Sequence, residues 1–363
     1  MAGTGAANRI AIWAWAAPLA ACALVASIMA GLLPDNPFIL TAAVILLGAA
    51  VFASVHHAEI VALKVGEPLG SIVLAIAVTV IEVALIVSIM LGAKSGSAEL
   101  ARDTVFATVM IVLNGIIGLC LVLGGARHFE QSFQTSAATI ALSVLGTLAT
   151  ITLVLPNYTL TTAGPTFATS QLVFVSLASI VLYAVFLFVQ TVRHRYYFLV
   201  ESLNEADHAP PSNTIAAISV LLLVVALTGV VLLAKALSPS LEAAIYAVGL
   251  PPSFVGVVIA AIVLLPEGMA AVRAATANQL QTSLNLALGS AMATIGLTIP
   301  VVSAVSVILG KSLTLGLHPA QMVLLVLSLF IGTVTLATGR TTILQGAVHL
   351  VIFGTFLFLA AIP

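Results

Sequence analysis

Apolar runs of about 20 residues, separated by short polar breaks, recur along almost the whole chain. Each is long enough to cross a hydrocarbon core of about 30 Å. The runs are too long and too uniformly apolar for barrel strands, which leaves helices as the way to bond every backbone group in lipid. Only 6% of the residues are charged, against roughly a quarter in soluble domains. The sequence therefore predicts an all-α integral membrane protein.

Charged residues, prolines and glycines divide the apolar sequence into about eleven candidate spans. The first begins just after Arg9 and exceeds the roughly 7 to 15 apolar residues of a cleaved signal, so we interpret it as a span. The spans are approximately Ile10–Leu33, Phe38–Val55, Leu69–Met90, Thr104–Leu123, Ala137–Leu155, Gln171–Gln190, Thr214–Leu237, Phe254–Ala275, Leu284–Leu309, Ala320–Leu336 and Thr342–Ala361.

The longest hydrophilic stretch, Arg193–Asn213, lies between the sixth and seventh spans. With the first span set aside, five spans precede this stretch and five follow it. An odd number of spans in each half forces the halves into opposite membrane orientations, as in inverted-repeat transporters. We therefore predict an N-terminal transmembrane helix (1–37), a first inverted repeat (38–192), a cytoplasmic linker (193–213) and a second inverted repeat (214–363).

The basic residues favour a cytoplasmic N-terminus. In that orientation seven of them lie inside and four lie outside, which agrees with the positive-inside rule. The inside set is Arg9, Lys64, Arg127, Arg193, Arg195, Arg273 and Arg340, and the outside set is Lys94, Arg102, Lys235 and Lys311.

Each predicted repeat carries one glutamate deep inside an apolar span. These are Glu82 in VLAIAVTVIEVALIV and Glu267 in VVIAAIVLLPEGMAAV. Each lies 13 residues after the start of its span, at Leu69 or Phe254. At 1.5 Å per residue this is a depth of roughly 20 Å from opposite faces, so both carboxylates are expected near the midplane.

A charged carboxylate in hydrocarbon must be neutralised by a proton or a cation, or be hydrated in a cavity. Since protons and cations compete for the same oxygens, two such carboxylates predict cation/proton antiport. Ca2+ takes about six to eight oxygen ligands, so hydroxyls and carbonyls must complete its site. Thr79 would add a hydroxyl on the face of Glu82, and Pro266 would break its helix and free carbonyls around Ile262.

These sequences resemble the cation/proton exchanger branch of the calcium/cation antiporter superfamily, most closely the bacterial ChaA-type calcium/proton antiporters. Residues 56–87, HHAEIVALKVGEPLGSIVLAIAVTVIEVALIV, resemble its first α-repeat, and residues 251–300 resemble the second. The resemblance implies that Glu82 and Glu267 bind the cation and the proton. It also implies that Ser290 in LNLALGSAMATIG lines the site, with Asn114 in LNGIIGLCLVLGG as its first-repeat counterpart.

The resemblance further implies transport of Ca2+, and of Na+ or K+, in exchange for H+ across a bacterial inner membrane.

This sequence departs from the family pattern in two places that affect the set of cation and proton ligands. The family's Gly-Asn-Ala sequence before each glutamate is replaced by VTVI before Glu82 and by VLLP before Glu267, so its asparagine ligands are not carried over. The histidine that often follows the second glutamate is Gly268 here, which leaves protonation to the glutamates themselves.

A cation-selective channel or uniporter without proton coupling stays open as the alternative function. The chain lacks a TVGYG-like filter and an arginine-rich voltage-sensing helix, which disfavours the common channel types. It also lacks the HExxH and GxSxG motifs that indicate an enzyme. Each glutamate taken alone is also compatible with a simple interhelical hydrogen bond.

The remaining polar residues have plainer interpretations. Cys22 and Cys120 lie in apolar spans without metal-ligand spacing. His56 and His57 lie at the end of the second span, where they are either interfacial or sensors of cytoplasmic pH. His349 is a hydrogen-bonded packing residue or a part of the proton route. The net charge of −1 indicates no nucleic-acid partner, and we expect no cofactor.

Overall fold

The computed structural model describes residues 10–32, 36–66, 69–92, 98–198 and 211–363, which are mostly helical. Within these ranges, 10 helices are long and apolar enough to cross a membrane, and a shorter apolar helix, Ile72–Ser88, completes the set. The prediction of an all-α membrane protein with about eleven spans is confirmed. Arg9, Lys94 and residues 199–210 of the predicted linker lie outside the described residues.

The α-helices of the described chain are α1 (Ile12–Met29), α2 (Pro37–Val65), α3 (Leu69–Gly92), α4 (Leu100–Met110), α5 (Ile117–His128), α6 (Thr135–Ala149), α7 (Thr169–Phe188), α8 (Arg195–Phe198), α9 (Asn213–Ala247), α10 (Phe254–Thr276), α11 (Leu280–Ala293), α12 (Ile299–Leu309), α13 (Pro319–Leu336) and α14 (Ile343–Ala361). Turns of π-helix follow several of them, at Ile111–Ile116, Thr150–Val154, Val189–Arg193 and Thr294–Thr298. Two short strands, β1 (Gln131–Ser132) and β2 (Arg340–Thr341), pair antiparallel.

The helices form two compact units. The first unit contains α1, α2, α3 and most of α9, and the second contains α4 to α8 and α10 to α14. Each unit therefore takes helices from both halves of the sequence. The compact units do not coincide with the predicted repeats, whose boundaries stay a prediction.

Small residues bring the helices of the first unit close together. Gly229 of α9 faces α1, where a Cβ added to the glycine would lie 3.3 Å from the side chains of Ala21 and Cys22. In α2, His57 donates from Nε2 to the carbonyl of Ala14 in α1 at 2.9 Å. Close backbone approach of this kind is how helices associate in lipid, where no hydrophobic effect drives them together.

The second unit is built around α4, its π-turn and α5. Gly256 of α10 meets this central helix so closely that an added Cβ would lie 2.8 Å from the backbone nitrogen of Thr104. Gly346 of α14 meets it elsewhere, with an added Cβ 2.6 Å from the nitrogen of Val122. The central helix is thus held at near backbone contact by both α10 and α14.

Arg102, near the start of α4, is 1% exposed. Its guanidinium group lies 2.9 Å from a carboxylate oxygen of Glu99 and 2.9 Å from one of Asp103, which is itself 6% exposed. It also donates to the carbonyl of Gly316 at 3.4 Å. A buried charge is stable only when it is paired and hydrogen-bonded, so this cluster neutralises Arg102 and ties α4 to the segment before α13.

Arg102→Gln is expected to destabilise the protein by about 3–5 kcal/mol, because it leaves the Asp103 carboxylate buried without its cation. The control is Arg340→Gln, which removes an exposed ion pair with Glu130 at 3.2 Å and should cost about 0–1 kcal/mol. Thermal unfolding of both purified variants in detergent measures the difference. Equal midpoints would show that the buried cluster contributes no more than the exposed pair.

Gly346→Ala places a methyl group against the backbone of α5 and is expected to cost about 1–3 kcal/mol, since the two helices must separate. Gly354 lies in the same helix with nothing within 4 Å of an added Cβ. Gly354→Ala should therefore leave the stability unchanged or raise it slightly, because alanine reduces the conformational entropy of the unfolded chain. Thermal unfolding in detergent measures the stability of both variants. An unchanged unfolding midpoint in Gly346→Ala would contradict the close contact of α14 with α5.

Candidate functional site

Glu82 lies in the middle of α3, which runs without interruption from Leu69 to Gly92. Its side chain is 1% exposed, and the adjacent Ile81 and Leu85 are also buried. The helix is apolar apart from three hydroxyl residues and this one carboxyl group. Burial here withholds bulk water from the carboxylate and so favours a bound proton or cation over a bare charge.

Thr79 lies one turn before Glu82, on the same face of α3. It is 7% exposed, and its Oγ1 makes no hydrogen bond within the described residues. Buried threonines in membrane helices usually bond to the carbonyl four residues earlier, as Thr104 does to Leu100 at 2.8 Å. Thr79 therefore keeps hydrogen-bonding capacity next to the buried carboxyl group.

Glu267 is half-buried in α10. The helix continues from Phe254 to Thr276 with Pro266 inside it, so the break expected at Pro266 does not occur. A proline is tolerated in a membrane helix when neighbouring helices support it, and α4, α5 and α11 all pack against α10. Since Pro266 has no N–H, the carbonyl of Ile262 still lacks its usual helical donor.

Ser290 of α11 lies on the face that α11 turns toward α10. Ser283, two helical turns earlier on that face, donates from Oγ to the carbonyl of Ala271 in α10 at 2.6 Å. Because the two helices run antiparallel, Ser290 lies about level with Leu264, one helical turn before Glu267. Its Oγ is buried and makes no hydrogen bond within the described residues.

Asn114, which the family resemblance implies lines the site, hydrogen-bonds to two other helices. Its Nδ2 donates to Oγ of Ser328 in α13 at 2.8 Å, and its Oδ1 lies 3.1 Å from Nδ1 of His349 in α14. Ile116, two residues further along the π-turn, is the one that faces α10, with its Cδ1 3.2 Å from a Cβ added to Gly268. The side chain of Asn114 thus contacts α13 and α14.

A cavity of about 710 Å3 in the second unit was not predicted from the sequence. Its charged lining comes from the Arg102 cluster, and Phe106 of α4 and Val257 of α10 contribute apolar walls. Val257 precedes Glu267 by about 15 Å along the helix axis. The walls come from segments far apart in the chain, so no local sequence signal indicates the cavity.

The candidate site residues are divided between the two units. Glu82 and Thr79 belong to the first, and Glu267, Ser290 and Asn114 belong to the second. Among the described residues, no group of three or more His, Cys, Asp or Glu side chains could hold a metal ion. A cation bound at either glutamate would therefore need hydroxyl, carbonyl or water oxygens as further ligands.

The paired histidines of α2, His56 and His57, belong to no metal-ligating cluster among the described residues. His57 is 0% exposed and bonds to α1, as described above. The ring of His56 lies 5.2 Å from that of Trp13. These contacts give both residues a part in joining α1 to α2, and they leave the predicted pH-sensing role untested.

The sequence matches the family described as sodium/calcium exchanger protein over residues 36–192 and 218–362. The protein y4hA of Sinorhizobium fredii, named as an ionic transporter, is 57% identical over 359 residues, which are 98% of this chain and 97% of that protein. The sodium-potassium/proton antiporter ChaA of Escherichia coli is 35% identical over 311 residues, which are 84% of each chain. The predicted resemblance is therefore confirmed.

The fold has a counterpart among solved structures. Native YfkE superposes with a TM-score of 0.75 at 17% identity, over 96% of this chain and 100% of that one. YfkE is a Ca2+/H+ antiporter. A family match over most of the sequence, with long apolar helices on both sides of the hydrophilic stretch, leads to one conclusion: this chain belongs to the sodium/calcium exchanger family and is an integral membrane cation antiporter.

Proposed function

We propose that this antiporter exchanges Ca2+, and also Na+ or K+, for H+ by alternating access, with Glu82 and Glu267 as the groups for which cation and proton compete. The observation that carries the proposal is Glu82, a carboxyl group 1% exposed in the middle of an uninterrupted apolar helix. An ionised carboxylate in that setting needs a proton or a cation to neutralise it. The protonated form and the cation-bound form are the two transport intermediates of the proposal.

A hydroxyl group near each carboxylate supports cation binding in addition to protonation. Thr79 lies one turn from Glu82, and Ser290 lies about one turn from the level of Glu267 on the neighbouring helix. Both hydroxyls are buried and make no hydrogen bond within the described residues. At Glu82, the hydroxyl of Thr79 and water would supply the neutral oxygens that Ca2+ takes beside a carboxylate. At Glu267, the hydroxyl of Ser290, the carbonyl of Ile262 and water would do the same.

The relatives guide the choice of cation. ChaA is named for Na+ and K+ exchange with protons, and YfkE for Ca2+ exchange with protons. We therefore propose Ca2+, and Na+ or K+, as substrates of this chain. The bacterial relatives favour a bacterial inner membrane as its location, and the distribution of basic residues favours a cytoplasmic N-terminus.

Glu82→Gln and Glu267→Gln keep the size of each side chain but remove its titratable charge. Each variant is expected to lose Ca2+-driven proton release from everted vesicles, because a neutral amide cannot alternate between proton and cation. A pH-sensitive dye follows the release, and Na+ and K+ replace Ca2+ in parallel runs. Glu130→Gln, which alters an exposed carboxylate, should retain full exchange as the control.

The outcomes of that experiment separate the candidate functions. Full exchange in either glutamine variant would remove that glutamate from the proposed site. Cation flux through the wild-type protein without proton counterflow would instead identify a channel or uniporter.

Thr79→Val and Ser290→Ala each remove one hydroxyl without removing charge. Each is expected to raise the KM for Ca2+ by about two- to tenfold, which corresponds to the loss of one ligand or hydrogen bond, while the maximal rate changes less. Thr79→Ser retains the hydroxyl and is the matched control. If Thr79→Val and Thr79→Ser have the same KM, the hydroxyl of Thr79 is no part of the site.

A further inference from the structure

One buried polar network of the second unit has no part in the function proposed above. It consists of Asn114, Ser328, Thr335 and His349, which are 0%, 0%, 4% and 1% exposed. Asn114 bonds to Ser328 at 2.8 Å and to His349 at 3.1 Å, and Nε2 of His349 lies 3.2 Å from Oγ1 of Thr335. Both ring nitrogens of this histidine are therefore engaged inside the membrane protein.

The hydrogen bonds of the network have a defined direction. The hydroxyl of Ser328 donates to the carbonyl of Leu324 at 2.7 Å, so it accepts from the amide nitrogen of Asn114. The amide oxygen then faces His349, and because that oxygen can only accept, Nδ1 of the imidazole carries the proton. Nε2 lies 3.2 Å from Oγ1 of Thr335, a hydroxyl that can serve either as donor or as acceptor. His349 therefore holds the Asn114 amide in one orientation.

Asn114 lies within the π-helical turn Ile111–Ile116. Such turns are rare and short, and they commonly occur at functional positions. Two hydrogen bonds from Asn114, to α13 and to α14, hold this turn from one side. At His349, α14 packs closely on α5, since a Cβ added to Gly118 would lie 3.0 Å from the Cβ of His349.

The other side of the same turn contacts the helix of Glu267. Residues two positions apart point to nearly opposite sides of a helix, and Ile116 accordingly faces α10 while Asn114 faces away. Ile116 packs against Gly268, the residue directly after Glu267. The π-turn therefore contacts α10 directly next to its carboxylate.

We propose that His349 is a positioning residue for cation exchange. It holds Asn114, Asn114 fixes the π-turn, and the turn sets the place of Glu267 through the contact of Ile116 with Gly268. The inference rests on the proposed role of Glu267 as a cation-binding carboxylate. It gives Asn114 a supporting role behind the site.

The test compares two amide replacements of the ring. His349→Asn keeps a donor close to the position of Nδ1 and so can still bond to Asn114, whereas His349→Gln keeps a polar group only near the position of Nε2. In the vesicle assay, His349→Gln and His349→Ala are expected to raise the KM for Ca2+ by about two- to tenfold, as for one lost hydrogen bond. His349→Asn should recover most of the wild-type KM.

A double-mutant cycle tests whether His349 acts through Asn114. Asn114→Ala alone should raise the KM about as much as His349→Ala, and the double variant should be no worse than either. Thermal unfolding is measured alongside. A purely structural role predicts that the KM follows the loss of stability and that the Asn and Gln variants behave alike.

Three results would overturn the inference: a wild-type KM in His349→Gln, equal KM values in the Asn and Gln variants, or additive effects in the cycle. If His349→Ala fails to accumulate in the membrane, the comparison of the two amides still decides. Glu267→Gln in the same vesicles separates the two proposals. If it is inactive while His349→Gln behaves as wild type, the positioning role alone is wrong, whereas an active Glu267→Gln refutes the proposed function itself.

Discussion

The cost of burying a charge away from water is the constraint on which this structure depends. The almost completely buried Arg102 is neutralised permanently, because its guanidinium group lies 2.9 Å from a carboxylate oxygen of Glu99 and 2.9 Å from one of Asp103. Glu82 is buried to the same degree in a helix that carries no basic residue of its own. The first arrangement is suited to holding helices together. The second is suited to the function proposed above, in which a proton and a cation would alternate at the same carboxylate.

The positions of the helices and of the two glutamates could be predicted because their signals are local. A run of about 20 apolar residues indicates a span whatever surrounds it, and a single carboxyl group within such a run stands out.

The predicted break at Pro266 was wrong because its outcome depends on the surrounding structure and not on the local sequence. Whether a proline interrupts a membrane helix depends on its neighbours, and here α4, α5 and α11 pack along α10 and keep it continuous.

The surroundings of Asn114 lay beyond prediction from the sequence. Its partners Ser328 and His349 are 214 and 235 positions away in the chain, so only the fold brings them together. The face that Asn114 presents also depends on the π-turn, and sequence periodicity assumes the 3.6 residues per turn of an α-helix. The same limit applies to the cavity beside the Arg102 cluster, whose walls come from both ends of the second unit's sequence.

The π-turn at Ile111–Ile116 also preserves the rotational phase of the helix that follows it. One residue added to a continuous α-helix rotates the rest of that helix by about 100°, whereas the wider π-turn takes up an additional residue locally. Asp103, upstream, meets α10, whereas Gly118 and Gly125, downstream, meet α14. Removal of one residue from the turn would return it to α-helix and leave these glycines against α14. The turn therefore lets this helix carry one more residue without changing the face that packs on either side of it.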